Sequence, residues 1–214
     1  MNGRNDVRVV YRDLIRDAIY EQVVNGELKP GDRITELEWA KIFNTSQAPV
    51  REAIRDLEAM GVVVSIPFKG AFVREMTVKD LKDIHQIRIG LEGVALKNAI
   101  LKASDQDIEN VKSIFCLMTE YAKNGQKEEF IKEDIHFHEK IVELADTTEL
   151  MKMWKMCNVE LWTAFNVQMS QSDLVKFAVS HKEILDVLEK RQTRRAFEVM
   201  DEHFTEVTTE IYEG

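Results

Sequence analysis

The chain has 214 residues, of which 44% are hydrophobic and 31% are charged, so it is long enough for two modest domains with real cores. No apolar run approaches the ~20 residues that span a bilayer, and the N-terminus lacks the core of a signal peptide. We therefore expect a cytoplasmic protein that does not associate with a membrane. Cys116 and Cys157 stand alone in helical patterns, which predicts packed, reduced thiols rather than a disulfide.

The formal net charge of −9 is unevenly distributed. Residues 1–75 carry 11 Lys/Arg and 12 Asp/Glu, whereas residues 76–214 carry 18 and 26, which gives net charges of −1 and −8. Both parts are net negative, so the overall charge of neither part favours binding to DNA. Any DNA binding must depend on the local placement of Arg and Lys side chains.

Two helices are predicted at the start of the first part. Apolar spacing indicates an amphipathic helix over Val10–Asn25, a turn at Gly26–Asp32 and a short helix over Thr35–Phe43. Thr35 and Glu38 fit a capping box at the start of the short helix. The core candidates on these helices are Leu14, Ala18, Ile19, Val23, Leu37, Ala40 and Ile42.

A tight helix-turn-helix is predicted over Asn44–Arg55. Asn44 can take the left-handed turn conformation, and Thr45 or Ser46 can cap the helix that follows. Pro49 is tolerated in the first turn of that helix because its missing N–H needs no partner there. The inward residues of the second helix are Val50, Ile54 and Leu57.

The outer side of this second helix carries side chains that suit contact with bases in the major groove of DNA. Its amino end directs backbone amides at phosphate, and Gln and Arg reach the edges of adenine and guanine. A β-branched run over Val62–Ile66, a turn at Pro67–Gly70 and the run Ala71–Val73 predict a wing. An ordinary helical hairpin is the alternative reading of the spacing. The candidate DNA contacts are Arg33, Thr45, Ser46, Gln47, Ala48, Arg51, Arg55, Lys69 and Gly70.

Residues 8–75 resemble the DNA-binding domain of GntR-family bacterial transcription regulators. The residues that carry the resemblance are Leu28–Asp32, Glu36, Ala40, Pro49–Ile54, Leu57 and Gly61. The resemblance implies a winged helix-turn-helix that binds a double-stranded DNA operator. The family often has Arg in place of Gln47 and Thr in place of Ala48, so no operator sequence carries over.

Residues 76–214 show helical patterns only. Thr77 and Asp80 fit a capping box, and short polar links separate the segments, which predicts an antiparallel all-α bundle of six helices. The predicted helices are Val78–Lys102, Asp105–Lys123, Lys127–Ala145, Glu149–Ser170, Asp173–Lys190 and Thr193–Tyr212. The fold class is therefore mainly α, with a winged helix-turn-helix domain over 1–75 and a helical effector-binding and dimerisation domain over 76–214.

Three bundle helices carry acid or imidazole side chains on apolar faces. Asp134 and His138 lie one turn apart, and His181 and His203 lie on the fifth and sixth helices. One carboxylate and three imidazoles could bind a divalent transition metal, with Zn, Ni, Mn or Fe favoured over Ca or Mg. Alternatively, each histidine is a hydrogen-bonded core residue, and Asp134 pairs with one of them. His136 lies on the polar face and is excluded.

The helical part also resembles the FCD ligand-binding domain of the FadR subfamily, in its smaller six-helix variety. Members of that family use an Asp-x-x-x-His pair and two later histidines as metal ligands. Asp134, His138, His181 and His203 match those positions, so the resemblance implies a metal site here.

Arg88 lies on the apolar stripe of the first bundle helix, so its guanidinium should point inward and bind a carboxylate. That carboxylate belongs either to Glu92, one turn further on, or to a small-molecule effector. The two residues also match an Arg-x-x-x-Glu pattern of FCD domains. His85 lies off this stripe and receives no role.

The resulting hypothesis is a transcription regulator, in this family more often a repressor, whose homodimer binds a pseudo-palindromic operator. A small organic acid held by the metal and Arg88 would move the bundle helices at the Thr77 junction and change the spacing of the two recognition helices. The competing class is a metal-dependent hydrolase or lyase acting on a small carboxylate, although the helical set lacks a further general base. A purely structural bundle would bind neither metal nor acid.

Overall fold

The computed structural model describes the backbone of residues 3–169 and 173–212, and the side chains of residues 10–168 and 173–209. The chain divides into two compact units, Met1–Met76 and Thr77–Gly214. Within the described residues, the helices are all too short or too polar to span a membrane. The predicted fold class, mainly α with a small winged domain at the start, is confirmed.

The first unit contains three helices and a small antiparallel sheet. Its elements in chain order are α1 (Gly3–Val24), β1 (Arg33–Ile34), α2 (Glu36–Ile42), α3 (Gln47–Ala59), β2 (Val63–Ile66) and β3 (Gly70–Val73). The strand order is β1-β3-β2, and Arg33 of β1 lies opposite Phe72 of β3. The sequence pattern predicted the β2–β3 hairpin but not β1, because two residues are too few to show alternation.

The turn between α2 and α3 forms as predicted. Asn44 has a positive φ of 47°, Pro49 lies in the first turn of α3, and Gly61 with φ 73° follows the end of that helix. Val50 and Leu57 are fully buried, which fixes the inward face of α3. The outer face of α3 is consequently turned towards solvent.

Several core predictions for this unit are wrong. Leu14, Leu37 and Ile42 are exposed, whereas Ile15 and Trp39 are buried. The predicted core residues Ile19, Val23 and Ala40 are buried. Adjacent residues of a helix differ in direction by about 100°, so one of two neighbouring apolar residues can face solvent while the other faces the core. The predicted capping box is also wrong. The Thr35 side chain makes no capping hydrogen bond to any described residue.

The second unit consists of helices only. Its elements are α4 (Val78–Lys102), α5 (Asp105–Lys123), α6 (Lys127–Leu144), α7 (Thr148–Met156), α8 (Val159–Met169), α9 (Leu174–Ser180), α10 (Lys182–Glu189), a 3-10 turn (Thr193–Arg195) and α11 (Ala196–Tyr212). The capping box of Thr77 and Asp80 is confirmed. The described part of this unit thus has eight α-helices, and the prediction of six is wrong.

Two predicted helices are each broken in the middle. Asn158, with φ 48°, separates α7 from α8, and His181 separates α9 from α10. Both breaks occur inside apolar patterns that continue on either side, so periodicity alone did not show them. The predicted helix end at Ser170 and the predicted link at Ser172 lie outside the described residues.

Helix α4 is the centre of the second unit and packs against α6, α7, α10 and α11. The main hydrophobic core lies around it, and a smaller cluster surrounds Met118, Phe130 and Phe177. Polar side chains lie buried where residues of both clusters meet around one cavity. Cys157 belongs to the main core, whereas Cys116 is exposed, so the prediction that both thiols are packed is wrong for Cys116.

Candidate metal centre and DNA-reading surface

The four predicted metal ligands come together in the second unit. His138 of α6, His181 at the α9–α10 break and His203 of α11 are buried, and one ring nitrogen from each lies within 4.8 Å of the others. The Nε2 atom of His181 lies 3.1 Å from Oδ1 of Asp134. It also lies 3.1 Å from Nε2 of His138. His136 is exposed and pairs with Glu133, in agreement with its exclusion.

Each of the three imidazoles has its Nδ1 atom engaged by an acceptor outside the cluster. His138 Nδ1 donates to Glu92 Oε2 at 2.5 Å, and His181 Nδ1 donates to the carbonyl of Phe177 at 2.9 Å. The Ser180 hydroxyl donates to that same carbonyl, so its oxygen accepts from His203 Nδ1 at 3.0 Å. In its neutral form, each ring with a proton on Nδ1 carries a lone pair on Nε2, which is the tautomer of a metal-binding histidine.

The break between α9 and α10 gives His181 its direction. Its backbone N–H bonds to the carbonyl of Ala178, three residues back, rather than four as in an α-helix. The Phe177 carbonyl accepts from the His181 ring instead, and this bond turns the ring towards His138. In an unbroken helix the Phe177 carbonyl would accept from the backbone N–H of His181, so the bond from the His181 ring depends on the break.

Burial favours the uncharged forms of His138 and His203. Desolvation lowers the pKa of His138 more than the nearby Glu92 charge raises it. Desolvation, and then the neighbouring His181 and His138, lower the pKa of His203 well below its usual value. Burial raises the pKa of Asp134, but its hydrogen bond with His181 and the nearby positive charges outweigh that effect and lower it. Neutral imidazoles beside an ionised carboxylate are the protonation states that a cation requires.

Glu92 is the acceptor that organises the surroundings of the cluster. Its side chain is buried and accepts from Arg88 Nε at 2.7 Å, from Trp154 Nε1 at 2.9 Å and from His138 Nδ1. Burial raises its pKa, but the Arg88 charge and the His138 interactions lower it further than burial raises it. The sequence left open whether Arg88 binds Glu92 or an effector, and the structure shows the bond to Glu92.

The Arg88 guanidinium is not fully used by that bond. Its carbon lies 4.6 Å from the centre of the Phe204 ring, and among the described residues no acceptor is within reach of its buried Nη2 atom. Nη2 therefore remains available to a further acceptor. Arg88 borders a cavity of about 20 Å³, which it shares with Asp134, His138 and His203. A space of that size holds about one water molecule.

Sequence reasoning missed two polar residues that line this cavity, Thr163 and Asn166, and a buried histidine, His85, that lies next to Asn166. His85 is buried, with Nδ1 2.8 Å from Thr208 Oγ1 and Nε2 3.4 Å from Asn166 Nδ2. Burial, followed by the Arg88 charge, lowers the pKa of His85 to about 3. Thr163 donates to Asp134 Oδ2 at 3.2 Å. The hydroxyl and the amide lie on α8, whose strongly apolar sequence gave no polar periodicity to read.

The predicted DNA contacts of the first unit lie around α3 and the wing. Gln47, Arg51 and Arg55 are exposed, and Ala48 is half-buried. Arg51 Nη2 forms an ion pair of 3.0 Å with Glu36 Oε2 of α2. Thr45 is half-buried and Ser46 is exposed at the start of α3, although the Ser46 side chain caps no backbone amide of the described chain. These positions leave the polar face of α3 accessible.

Arg33 of β1 and Gly70 of the wing, two further predicted contacts, border the groove beside α3. Gly70 has φ 109°, and a Cβ atom there would lie 3.3 Å from the Nε and Nη2 atoms of Arg33. The Arg33 guanidinium thus lies against the backbone of Gly70. Lys69 is exposed at the adjacent turn. The groove between α3 and the wing is therefore bordered by arginines from both sides.

A winged helix-turn-helix with an accessible α3, followed in the chain by an all-α unit, defines the class of DNA-binding transcriptional regulators. The family comparisons agree. The bacterial regulatory proteins of the gntR family match residues 11–73, and the FCD domain matches residues 83–206. The chain belongs to the GntR family of transcriptional regulators, in the group that carries an FCD domain.

Individual relatives are regulators as well. The chain is 32% identical, over 92% of its own length and 86% of the other's, to the "Probable D-xylose utilization operon transcriptional repressor" of Paenarthrobacter nicotinovorans. It is 27% identical, over 69% and 58%, to the "Gluconate operon transcriptional repressor" of Bacillus subtilis strain 168. The solved structure of E. coli McbR/YncC has the same fold, with a TM-score of 0.76, 19% identity and coverage of 95% and 97%. The hydrolase or lyase alternative is set aside, because the family and these relatives are regulators rather than enzymes.

Proposed function

We propose that this regulator binds a divalent transition metal through Asp134, His138, His181 and His203, and that a small carboxylate bound there controls its affinity for an operator. The observation that carries the proposal is the convergence of three imidazoles whose Nδ1 atoms are all engaged elsewhere. In this arrangement the Nε2 lone pairs of His138 and His181 face each other at 3.1 Å. Such a contact is repulsive unless a positive charge lies between the two atoms.

Two kinds of positive charge could relieve that repulsion. A proton on His181 would bridge Asp134 and His138, but it would leave the lone pair of His203 unused. A metal ion would bind all three rings and the carboxylate together. Imidazole nitrogen and carboxylate oxygen favour Zn, Ni, Mn or Fe, and the second layer of hydrogen bonds to Glu92, Phe177 and Ser180 is typical of metal-binding histidines.

Arg88 supports a carboxylate as the effector. Its buried Nη2 atom has no partner among the described residues, Arg88 lines a cavity together with Asp134, His138 and His203, and a guanidinium binds carboxylates well. A bound metal would supply a Lewis acid for the oxygens of the same group. The cavity of about 20 Å³ is too small for an organic acid, so binding must displace side chains that line it. A ligand with different affinity for two arrangements shifts their populations, which is the requirement for control of DNA binding.

The operator would be read by the first unit, which we take as residues 1–75. Gln47, Arg51 and Arg55 extend from α3, and Lys69 and Gly70 lie at the wing. Arg33, Thr45, Ser46 and Ala48 complete the proposed contact set. We further propose that the protein acts as a repressor, as the names of its two relatives state of those proteins.

Residues 76–214 would also form the homodimer. Helix α4 carries exposed apolar residues at helical spacing on the side away from the metal ligands, and these are Ile87, Val94 and Leu101. Gly90 lies between them with open space where a Cβ would be, which allows close approach of another helix. A two-fold dimer would place two α3 helices about 34 Å apart on a pseudo-palindromic operator.

The metal proposal is tested by elemental analysis of the purified protein. The double substitution of His181 and His203 by Ala should remove the bound metal, while His136→Ala, on the exposed face of α6, should leave it in place. The wild-type chain, once loaded with Zn, should then gain thermal stability with a small carboxylate such as gluconate or citrate. Equal metal content in the double variant and in the wild type would refute the site.

A further inference from the structure

The turn at the tip of the wing has an unusual residue in its tightest position. The Lys69 N–H bonds to the carbonyl of Ile66 at 3.0 Å, which closes a four-residue turn with Pro67 in the second position. Phe68 takes the third position with φ 65°. Proline followed by a positive φ is the pattern of a type II turn, which favours Gly or Asn in the third position.

Phe68 is also fully exposed, with a relative accessibility of 110%. A bulky residue with positive φ is uncommon, and such strain persists where it serves a function. Neither the local backbone nor packing within the described residues favours an aromatic ring at this point.

We propose that Phe68 is an apolar wedge that enters the minor groove of DNA and partly unstacks one base step beside the site read by α3. Apolar wedges of this kind kink a duplex by about 20–90°. The proposal rests on the DNA-binding role of the first unit and adds to it a determinant of DNA shape. A wedge would give the protein a preference for certain base steps without any polar contact to those bases. Pyrimidine–purine steps should be favoured, because they deform most easily.

Charge around the ring identifies DNA as the partner. Lys69 is the next residue, and Arg33 lies against Gly70 at the base of the same turn. Arg51 and Arg55 border the groove between α3 and the wing, in which Phe68 also takes part. An aromatic ring framed by cations suits a duplex, because phosphates flank the minor groove on both sides.

The test compares three variants of the full-length chain on one duplex, selected from a random pool by the wild-type protein. Phe68→Asn removes the ring and suits the backbone, Phe68→Leu keeps an apolar wedge, and Lys69→Ala removes a phosphate contact. We expect Phe68→Asn to unfold at the same temperature as the wild type or at a higher one. Its DNA affinity should nevertheless fall about tenfold, the scale of one lost base–aromatic contact.

The salt dependence and the DNA bend separate a wedge from a simple phosphate contact. Phe68→Asn should abolish the bend measured by energy transfer between the duplex ends, with an unchanged slope of log affinity against log salt concentration. Lys69→Ala should reduce that slope by about 0.9. Phe68→Leu should retain most of the affinity and the bend.

Wild-type affinity and bend in Phe68→Asn would overturn the proposal. So would a change in its sedimentation mass at equal DNA affinity, because the ring would then serve contact between copies of the chain. Arg51→Ala on the same duplex tests the proposed contacts of α3 separately. Intact binding by that variant would contradict those contacts without affecting the result for Phe68.

Discussion

His138 Nδ1 lies 2.5 Å from Glu92 Oε2, although the two residues are 46 positions apart and belong to different helices. The contact is buried on both sides. Because an ionised carboxylate only accepts, it fixes the proton of His138 on Nδ1 and leaves Nε2 for the centre of the cluster. Glu92 thereby connects the Arg88 side of the cavity with the metal ligands.

Glu92→Gln should weaken metal binding without removing a ligand. The amide keeps the shape of the side chain but loses the charge that orients His138, and loss of such a partner typically lowers metal affinity by about 10–100-fold. Calorimetric titration of Zn into the metal-stripped protein measures the change. Glu143→Gln, on an exposed position of α6, is the matched control. Equal affinities in both variants would exclude an orienting role for Glu92.

Arg88→Lys should separate effector binding from metal binding. Lysine keeps a positive charge beside Glu92. It has no counterpart of the Arg88 Nη2 atom, which has no partner among the described residues. We expect the metal content to stay unchanged and the carboxylate affinity to fall about tenfold or more, which is the scale of a lost charge-assisted hydrogen bond. Thermal shift against carboxylate concentration measures the affinity. An unchanged titration curve would contradict the role of Arg88.

The metal-stripped protein should lose stability as the pH falls from about 7 to about 5. Burial lowers the pKa values of His85, His138 and His203 in the folded state, so the unfolded chain, with a histidine pKa near 6.5, binds more protons in this range. The free energy of unfolding should decrease by up to about 1.4 kcal/mol per pH unit for each of these histidines. Glu92 and Asp134, whose pKa values are lowered, add a loss of the same sign only below about pH 4.5.

Urea unfolding at several pH values measures this slope. His85→Asn should reduce this slope. In the wild type, folding lowers the pKa of His85 to about 3, so His85 takes up a proton on unfolding, and asparagine cannot do so. His136→Asn, at an exposed position, should leave the slope as it is. A wild-type stability that stays constant over the range would contradict the prediction.

Glu36→Gln should strengthen DNA binding while leaving stability almost unchanged. Glu36 holds Arg51 in an exposed ion pair, and pairs of this kind contribute little to stability because water screens them. Without the carboxylate, the groove loses a negative charge and Arg51 is free to contact phosphate or base. We expect a several-fold gain in affinity at low salt in a gel shift. Glu38→Gln on the same helix controls for charge alone, and an equal gain there would assign the effect to bulk charge.

Local conformation explains why much of the first unit was predictable. Pro49 fixes its own φ, and Asn44 and Gly61 tolerate the left-handed conformation, so the turn, the start of α3 and its end could be predicted without tertiary information. Leu14 and Ile15 show the opposite case. Both fit an apolar stripe, and only packing against α3 decides which of the two faces the core.

The breaks at Asn158 and His181 show a further limit of periodicity. Apolar residues continue through both positions, so a continuous helix fitted the pattern equally well. The His181 break depends on competition for the Phe177 carbonyl between a backbone amide and a ring nitrogen. Which of the two groups bonds to the carbonyl depends on the orientation of the His181 ring. That orientation depends on the ring's neighbours on helices α6 and α11.

The sequence by itself determined which side chains share the buried faces, because helical spacing places Asp134 beside His138 and directs His203 inward. Only the tertiary structure decided what those side chains do. The Nδ1 partners, the choice of Glu92 for Arg88 and the burial of His85 depend on contacts between residues far apart in the chain. A hydrogen bond acts over about 3 Å, so its partners are set by how the helices pack and not by any pattern along one of them.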